Sequence, residues 1–205
     1  SPVGQRELDS TRTGPLLDRR IRSSFTIEAL VYAVFMLVAV LTRFAALGDR
    51  PLHHDESLHA YYSWLLFVGR GYQHDPLMHA PFQFHLNTLV YFLFGVNDAT
   101  TRILPSVFGV AIVFLPYLLR GYLGRLGALV ASFMLLVSPA FMYFSRFARN
   151  DIYVAVWTLL LAIAVFGYLR ERRRSYLYLG AVTLSLSWAT KENALSEEER
   201  EAFLA

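Results

Sequence analysis

Six histidines, an acidic pair and an arginine-rich turn are the groups in this chain able to do chemistry. All six histidines lie between residues 53 and 85, and Asp55-Glu56 sits among them in His53-His54-Asp55-Glu56-Ser57-Leu58-His59. Adjacent carboxylates suit general-base work: one takes a hydroxyl proton while its neighbour binds substrate or shifts the first one's pKa. Asp55 and Glu56 are therefore the candidate catalytic residues. The same pair also fits a helix start, with Asp55 as cap and Glu56 in the first turn, favoured by the helix dipole; the two readings are compatible. His54, His59 and His74 are candidate ligands for a divalent metal together with Asp55. No spacing here matches a zinc motif, and interfacial histidines bonded to headgroups are the plainer alternative.

A second cluster is Ser145-Arg146-Phe147-Ala148-Arg149-Asn150-Asp151. Guanidinium forks match phosphate oxygens, so Arg146 and Arg149 are candidate phosphate contacts, with membrane-interface anchoring as the alternative. Asp151 follows them as a second candidate acidic site. Arg102, three residues before Pro105, and Lys191, beside Glu192, complete the candidate substrate-binding set. Lys191 could equally form a structural ion pair with Glu192. Tyr61, Tyr62, Trp64 and Tyr72 suit an interface belt, or a stacking surface for a sugar.

The elements that must position these groups are apolar helices. The 205 residues are 55% hydrophobic, above the roughly 45–50% of soluble domains. Phe25–Leu47 has the length of about 20 residues needed to span a bilayer, and 103–119, 126–144, 152–169 and 176–190 are further apolar runs. The chain is expected to be an all-α, polytopic membrane protein. With no cysteine, disulfide and thiolate chemistry is excluded. The +3 net charge comes from arginines that bracket apolar runs, a topology signal; nucleic acid is not an expected partner. Residues 1–24 read as a disordered cytoplasmic tail, 25–194 as the transmembrane domain, and 195–205 as a polar helical tail of uncertain origin. A cleaved signal peptide does not fit so long a first run. The chain reads as an N-terminal fragment of something larger.

Charge parity sets the expected topology. The basic stretches 19–22, 120–125 and 170–174 share the cytoplasmic side only if an even number of spans separates them. One of the three apolar segments before residue 120 must then stay on one side. Pro81–Val96 is short and carries Gln83, His85 and Asn87. It is expected to lie on the outer face beside another interfacial helix near 56–69, within a long external loop over 48–102. About five spans follow, and every acidic or histidine-bearing motif gathers on the extracytoplasmic face of the plasma (inner) membrane.

In this order the motifs resemble the GT-C membrane glycosyltransferases, nearest the protein O-mannosyltransferase-like family (glycosyltransferase family 39) and the lipid A aminoarabinose transferase. The stretches that carry the likeness are His54–Tyr62, His79-Ala80-Pro81-Phe82, Thr101–Ser106 and Ser145–Asp151. The His-rich loop and Ala189–Ala194 are similar to an uncharacterised prokaryotic, flippase-activity-associated branch. The resemblance implies inverting sugar transfer from a polyprenyl-phosphate donor to an extracytoplasmic acceptor hydroxyl on lipid, glycan or protein. It implies Asp55 as general base with Glu56 assisting, Arg102, Arg146 and Arg149 on the lipid phosphate, and Asp151 as a second acidic site. Family members usually offer a lysine where this chain has His79, so His79 would contact phosphate only when protonated. A proton- or metal-handling transporter and an inactive scaffold subunit are the competing readings.

Overall fold

The computed structural model describes residues 14–71 and 81–191, and their side chains from residue 27 onward. His74, His79 and the tail over 195–205 lie outside the described residues. Every described element is helical. Helix α1 (Gly14–Phe44) begins before the expected boundary at residue 24. Pro15 suits a first helical turn, and neither glycine nor proline interrupts the run that follows.

Helix α2 (His54–Phe67) starts differently from the expectation: His53, not Asp55, is the N-cap, and Glu56 closes a capping box by accepting the His53 backbone N–H. Helix α3 (Phe82–Phe94) lies beside α2 and runs parallel to it. His59 and Tyr62 pack on Phe84, the Thr88 hydroxyl donates to the Ser63 carbonyl at 3.0 Å, and Phe67 meets Tyr91. At about 1.5 Å per residue its 13 residues reach about 20 Å, short of the roughly 30 Å hydrocarbon core. Leu89, Phe92, Leu93 and Phe94 on α3 are all more than 50% exposed, the outer face of a helix lying in an interface.

Among the described residues, three helical stretches are long and apolar enough to cross a membrane: Ile27–Phe44, Asp98–Val137 and Asp151–Glu171. The middle one folds back on itself. It comprises a short helix α4 (Asp98–Thr101), α5 (Ile103–Phe114), a 3₁₀ turn over Leu115–Leu119 and α6 (Arg120–Val137). Pro116 has no N–H to continue the α ladder, which tightens the chain into the 3₁₀ turn. Gly124 then takes φ 71°, outside helical space. Ser138 and Pro139 break the chain again before α7 (Pro139–Phe144), after which α8 (Asp151–Glu171) and α9 (Arg174–Thr190) follow.

Side-chain contacts fix the direction of each pass. The Ser106 hydroxyl lies 3.2 Å from the Arg43 carbonyl at the end of α1, whereas Tyr117 packs on Tyr32 near the start of its apolar run; α5 therefore runs antiparallel to α1. Arg125 pairs with Glu28, and Arg43 donates to the carbonyls of Leu135 and Leu136, so α6 returns parallel to α1. Tyr122 donates to the Phe166 carbonyl, which brings the far end of α8 to the α5–α6 turn. Trp157 Nε1 donates to Thr190 at 3.0 Å, making α9 antiparallel to α8. The result is five passes between two ends. Arg120, Arg125 and Arg170–Arg174 mark one, which we call the basic end, and α2, α3 and the Ser145–Asn150 turn cap the other. The core between α5, α6 and α8 centres on Ile112, Val113, Leu136, Ile152 and Tyr153, each at most 5% exposed.

Candidate active site

The turn between α7 and α8 is held from both sides by the two capping helices. Ala148 donates its N–H to Glu56 Oε1 at 3.1 Å, and its carbonyl accepts from Gln83 Nε2 at 3.0 Å. Gly109 on α5 underlies the same turn; a side chain there would run into Ser145. The backbone that carries Arg149 is thus fixed before any ligand arrives.

That placement brings Asp55 and Asp151 onto one guanidinium. Arg149 Nη1 lies 3.3 Å from Asp55, and its Nε lies 3.6 Å from Asp151. All three side chains are between 35% and 41% exposed, so the cluster faces solvent at the mouth of the fold. Two carboxylates around one cation leave a net negative charge there. Arg149, expected on phosphate, has these carboxylates as its partners.

Glu56 departs from the expected catalytic role. It is completely buried and forms a bidentate pair with Arg102, at 2.8 Å to Oε1 and 2.7 Å to Oε2. The His53 N–H adds a third donor at 3.0 Å, and Arg50 reaches the same carboxylate at 3.5 Å. Burial pushes this carboxyl upward. The hydrogen bonds from Arg102, His53 and Ala148, with the Arg102 charge, outweigh it and hold the group below the ordinary carboxylate range. A carboxylate so enclosed is a structural tie.

Arg102 is corrected for the same reason. A guanidinium has five N–H donors, and here each has an acceptor. Nε and one Nη2 hydrogen go to Glu56, Nη1 meets the carbonyls of Leu47 and Arg50 at 2.7 Å each, and Nη2 also reaches Pro51 at 3.1 Å. With 2% exposure and no donor left, Arg102 organises the loop after α1, and it also lines the cavity shared by Arg50 and Arg146.

Arg146 is partly engaged. It donates to the carbonyls of Thr42, Ala45 and Ala46, offsetting the partial negative charge at the end of α1. Its Nε is not among these bonds, and the residue lines a cavity of about 390 Å³ together with Arg50, Leu47, Met142 and Tyr143. Arg50, 52% exposed, has no place in the sequence expectation. Its signal was modest: an arginine in Asp49-Arg50-Pro51, just after the first apolar run. Arg43 was also missed as a site-building residue; it is fully buried against the carbonyls ending α6.

The histidines do not converge. His54 is exposed and His59 is buried against Phe84, because five residues along a helix turn to different faces. Among the described residues no three His, Asp or Glu side chains gather as a metal site; of the expected set of His54, His59 and His74 with Asp55, His74 lies outside the described residues. Lys191 ends α9 at the capped end, one residue after the Thr190–Trp157 hydrogen bond. It forms no ion pair among the described residues.

The arginine turn, Arg102 and the α3 cap all fall within a stretch, residues 78–195, that matches the family model for dolichyl-phosphate-mannose-protein mannosyltransferase. Asp55 and Glu56 precede the matched stretch, so their roles rest on geometry. No curated protein and no solved structure matches the chain. Apolar passes, a capped polar end and a match over more than half the residues converge on one assignment: the chain belongs to the dolichyl-phosphate-mannose-protein mannosyltransferase family, membrane glycosyltransferases that draw their sugar from a polyprenyl-phosphate donor.

Proposed function

We propose that the Asp55–Arg149–Asp151 cluster is the centre of an inverting sugar transfer to an acceptor hydroxyl, with Asp55 as general base. The observation that carries this is the pairing of Asp55 and Asp151 on one solvent-facing guanidinium, at the same end of the bundle as a cavity lined by Arg50 and Arg146. In the proposed step the acceptor oxygen attacks the anomeric carbon and Asp55 takes its proton. The bond to the phosphate oxygen breaks, and its electron pair leaves with the polyprenyl phosphate. Arg146, in the phosphate role expected of it, and Arg50 would stabilise that developing charge. A divalent ion would have Asp55 and Asp151 as carboxylate ligands, but Arg149 already stands between them.

The transporter alternative needs ionisable groups lining a path through the spans. Arg43, a buried charge deep within α1, is instead engaged by α6 carbonyls, and Glu28, near the start of the spanning stretch, pairs with Arg120 and Arg125. Full-length protein in liposomes, given polyprenyl-phosphate mannose and other polyprenyl-phosphate sugars with and without chelator, should release polyprenyl phosphate and yield a product of inverted configuration. Folded protein that releases none from any donor would refute the proposal; loss of turnover with chelator alone would put a metal between the carboxylates.

We also place the capped end outside the plasma membrane, with all five passes crossing it. The basic end then follows the positive-inside tendency. The chain has no cysteine, so single-cysteine labelling is clean. Ser57→Cys on α2 should react with an impermeant outside reagent, and Ser175→Cys on α9 should react only after permeabilisation. Equal reactivity of the two would overturn the orientation.

A further inference from the structure

We propose that the basic end of the bundle carries a second ligand site, lined by Glu28, Tyr32, Phe114 and Tyr117, for a primary ammonium joined to a phosphate. That is the headgroup chemistry of an ethanolamine phospholipid. The site is independent of the transfer proposed at the opposite end.

Glu28 is 7% exposed, and among the described residues neither of its carboxylate oxygens accepts a hydrogen bond. It opens onto a cavity of about 260 Å³ lined by Ala29, Tyr32, Phe114 and Tyr117. Arg120 and Arg125 approach it at 3.8 and 3.6 Å, beyond hydrogen-bond length. They are 41% and 60% exposed and stand at the rim. A buried carboxylate without donors is costly, so the cavity calls for a cation that brings its own N–H groups.

A primary ammonium supplies three donors, and ring faces favour a cation. The rings form a continuous wall here: Tyr32 meets Tyr117 edge-on at 5.0 Å, and Phe114 stacks on Tyr117 at 5.3 Å. A quaternary ammonium has no N–H to offer, and a glycerol headgroup carries no positive charge. The rim arginines then take the phosphate that follows the ammonium. Arg120 is already braced for this, its guanidinium 4.4 Å from the Tyr117 ring centre. Glu28 also lies at the start of the first spanning stretch, the depth at which headgroups sit.

The test is native mass spectrometry of the full chain, delipidated in detergent and given phosphatidylethanolamine and phosphatidylglycerol with identical acyl chains. Wild type should retain the ethanolamine lipid over the glycerol lipid by about tenfold, the scale of one charge-assisted hydrogen bond. Glu28→Gln should bring the ratio to about one, while Glu171→Gln, an exposed acid near the same end, should leave it unchanged. Soluble phosphoethanolamine that displaces the lipid would assign recognition to the headgroup alone. Retained selectivity without displacement would assign it to the intact lipid. Equal retention of both lipids by wild type, or an unchanged ratio in Glu28→Gln, would overturn the proposal and leave Glu28 as a partner of its arginines only. If Glu28→Gln does not accumulate, Phe114→Leu carries the test, with the ratio expected to fall about threefold on losing one ring.

Discussion

Glu56→Gln should destabilise the folded chain by about 3–5 kcal/mol, the usual range for breaking a buried ion pair from one side. The amide would turn an N–H toward donors that now converge on oxygen: Arg102 twice, His53 and Ala148. It would also leave the Arg102 charge buried at 2% exposure without a counter-ion. Arg102→Gln should cost a similar amount, and the double variant much less than the sum, since the two residues form one unit. Denaturant titration of the detergent-solubilised protein by circular dichroism measures all three. The sign of the pH effect follows from the same pair. Because the folded-state carboxyl is held below its ordinary value, its contribution is present above the unfolded pKa, near 4.5. It is lost as pH falls through the lower folded value. Glu56→Gln should therefore be less pH-sensitive than wild type in the acid range. A Glu56→Gln protein as stable as wild type would show that the tie is dispensable.

That Asp55 and Asp151 share one end of the bundle was readable because it rests on length and apolar content. The 16 residues from Pro81 to Val96 are too few to cross, and that single inference placed Asp151 on the same side as Asp55. The break at Pro139 and the 3₁₀ turn at Pro116 followed from backbone chemistry, although neither was foreseen as a boundary. What sequence could not give was the division of labour within Asp55-Glu56. Successive helical residues point about 100° apart, so one of the pair was bound to face inward. Which one depends on Arg102, 46 residues further along. The same holds for Arg43 and Arg146: each caps a helix C-terminus about 90 to 100 residues distant in sequence, and a carbonyl leaves no trace in residue type. Closeness in sequence is not closeness in space for the two described members of the expected metal set: α2 turns His54 outward and His59 inward.

Asp55→Asn should lower the rate of sugar transfer by about 10²–10⁴-fold, the usual contribution of a positioned general base, with the fold untouched. Its side chain is 41% exposed and, among the described residues, pairs with Arg149 alone at 3.3 Å, an exposed contact worth at most about 1 kcal/mol. Stability should therefore stay within about that margin while turnover collapses, the opposite of Glu56→Gln one residue along. A structural role for Asp55 would move both quantities together. Arg149→Gln sharpens the distinction. It frees Asp55 and Asp151 from their shared cation, which misplaces the base without removing it, and it should reduce turnover less than Asp55→Asn does. Donor binding, followed by retention of a labelled polyprenyl-phosphate sugar, should persist in Asp55→Asn because the phosphate is assigned to Arg50 and Arg146. Wild-type turnover in Asp55→Asn would remove the base from the mechanism. Loss of donor binding in the same variant would instead place Asp55 at the phosphate, where a carboxylate could act only through a metal.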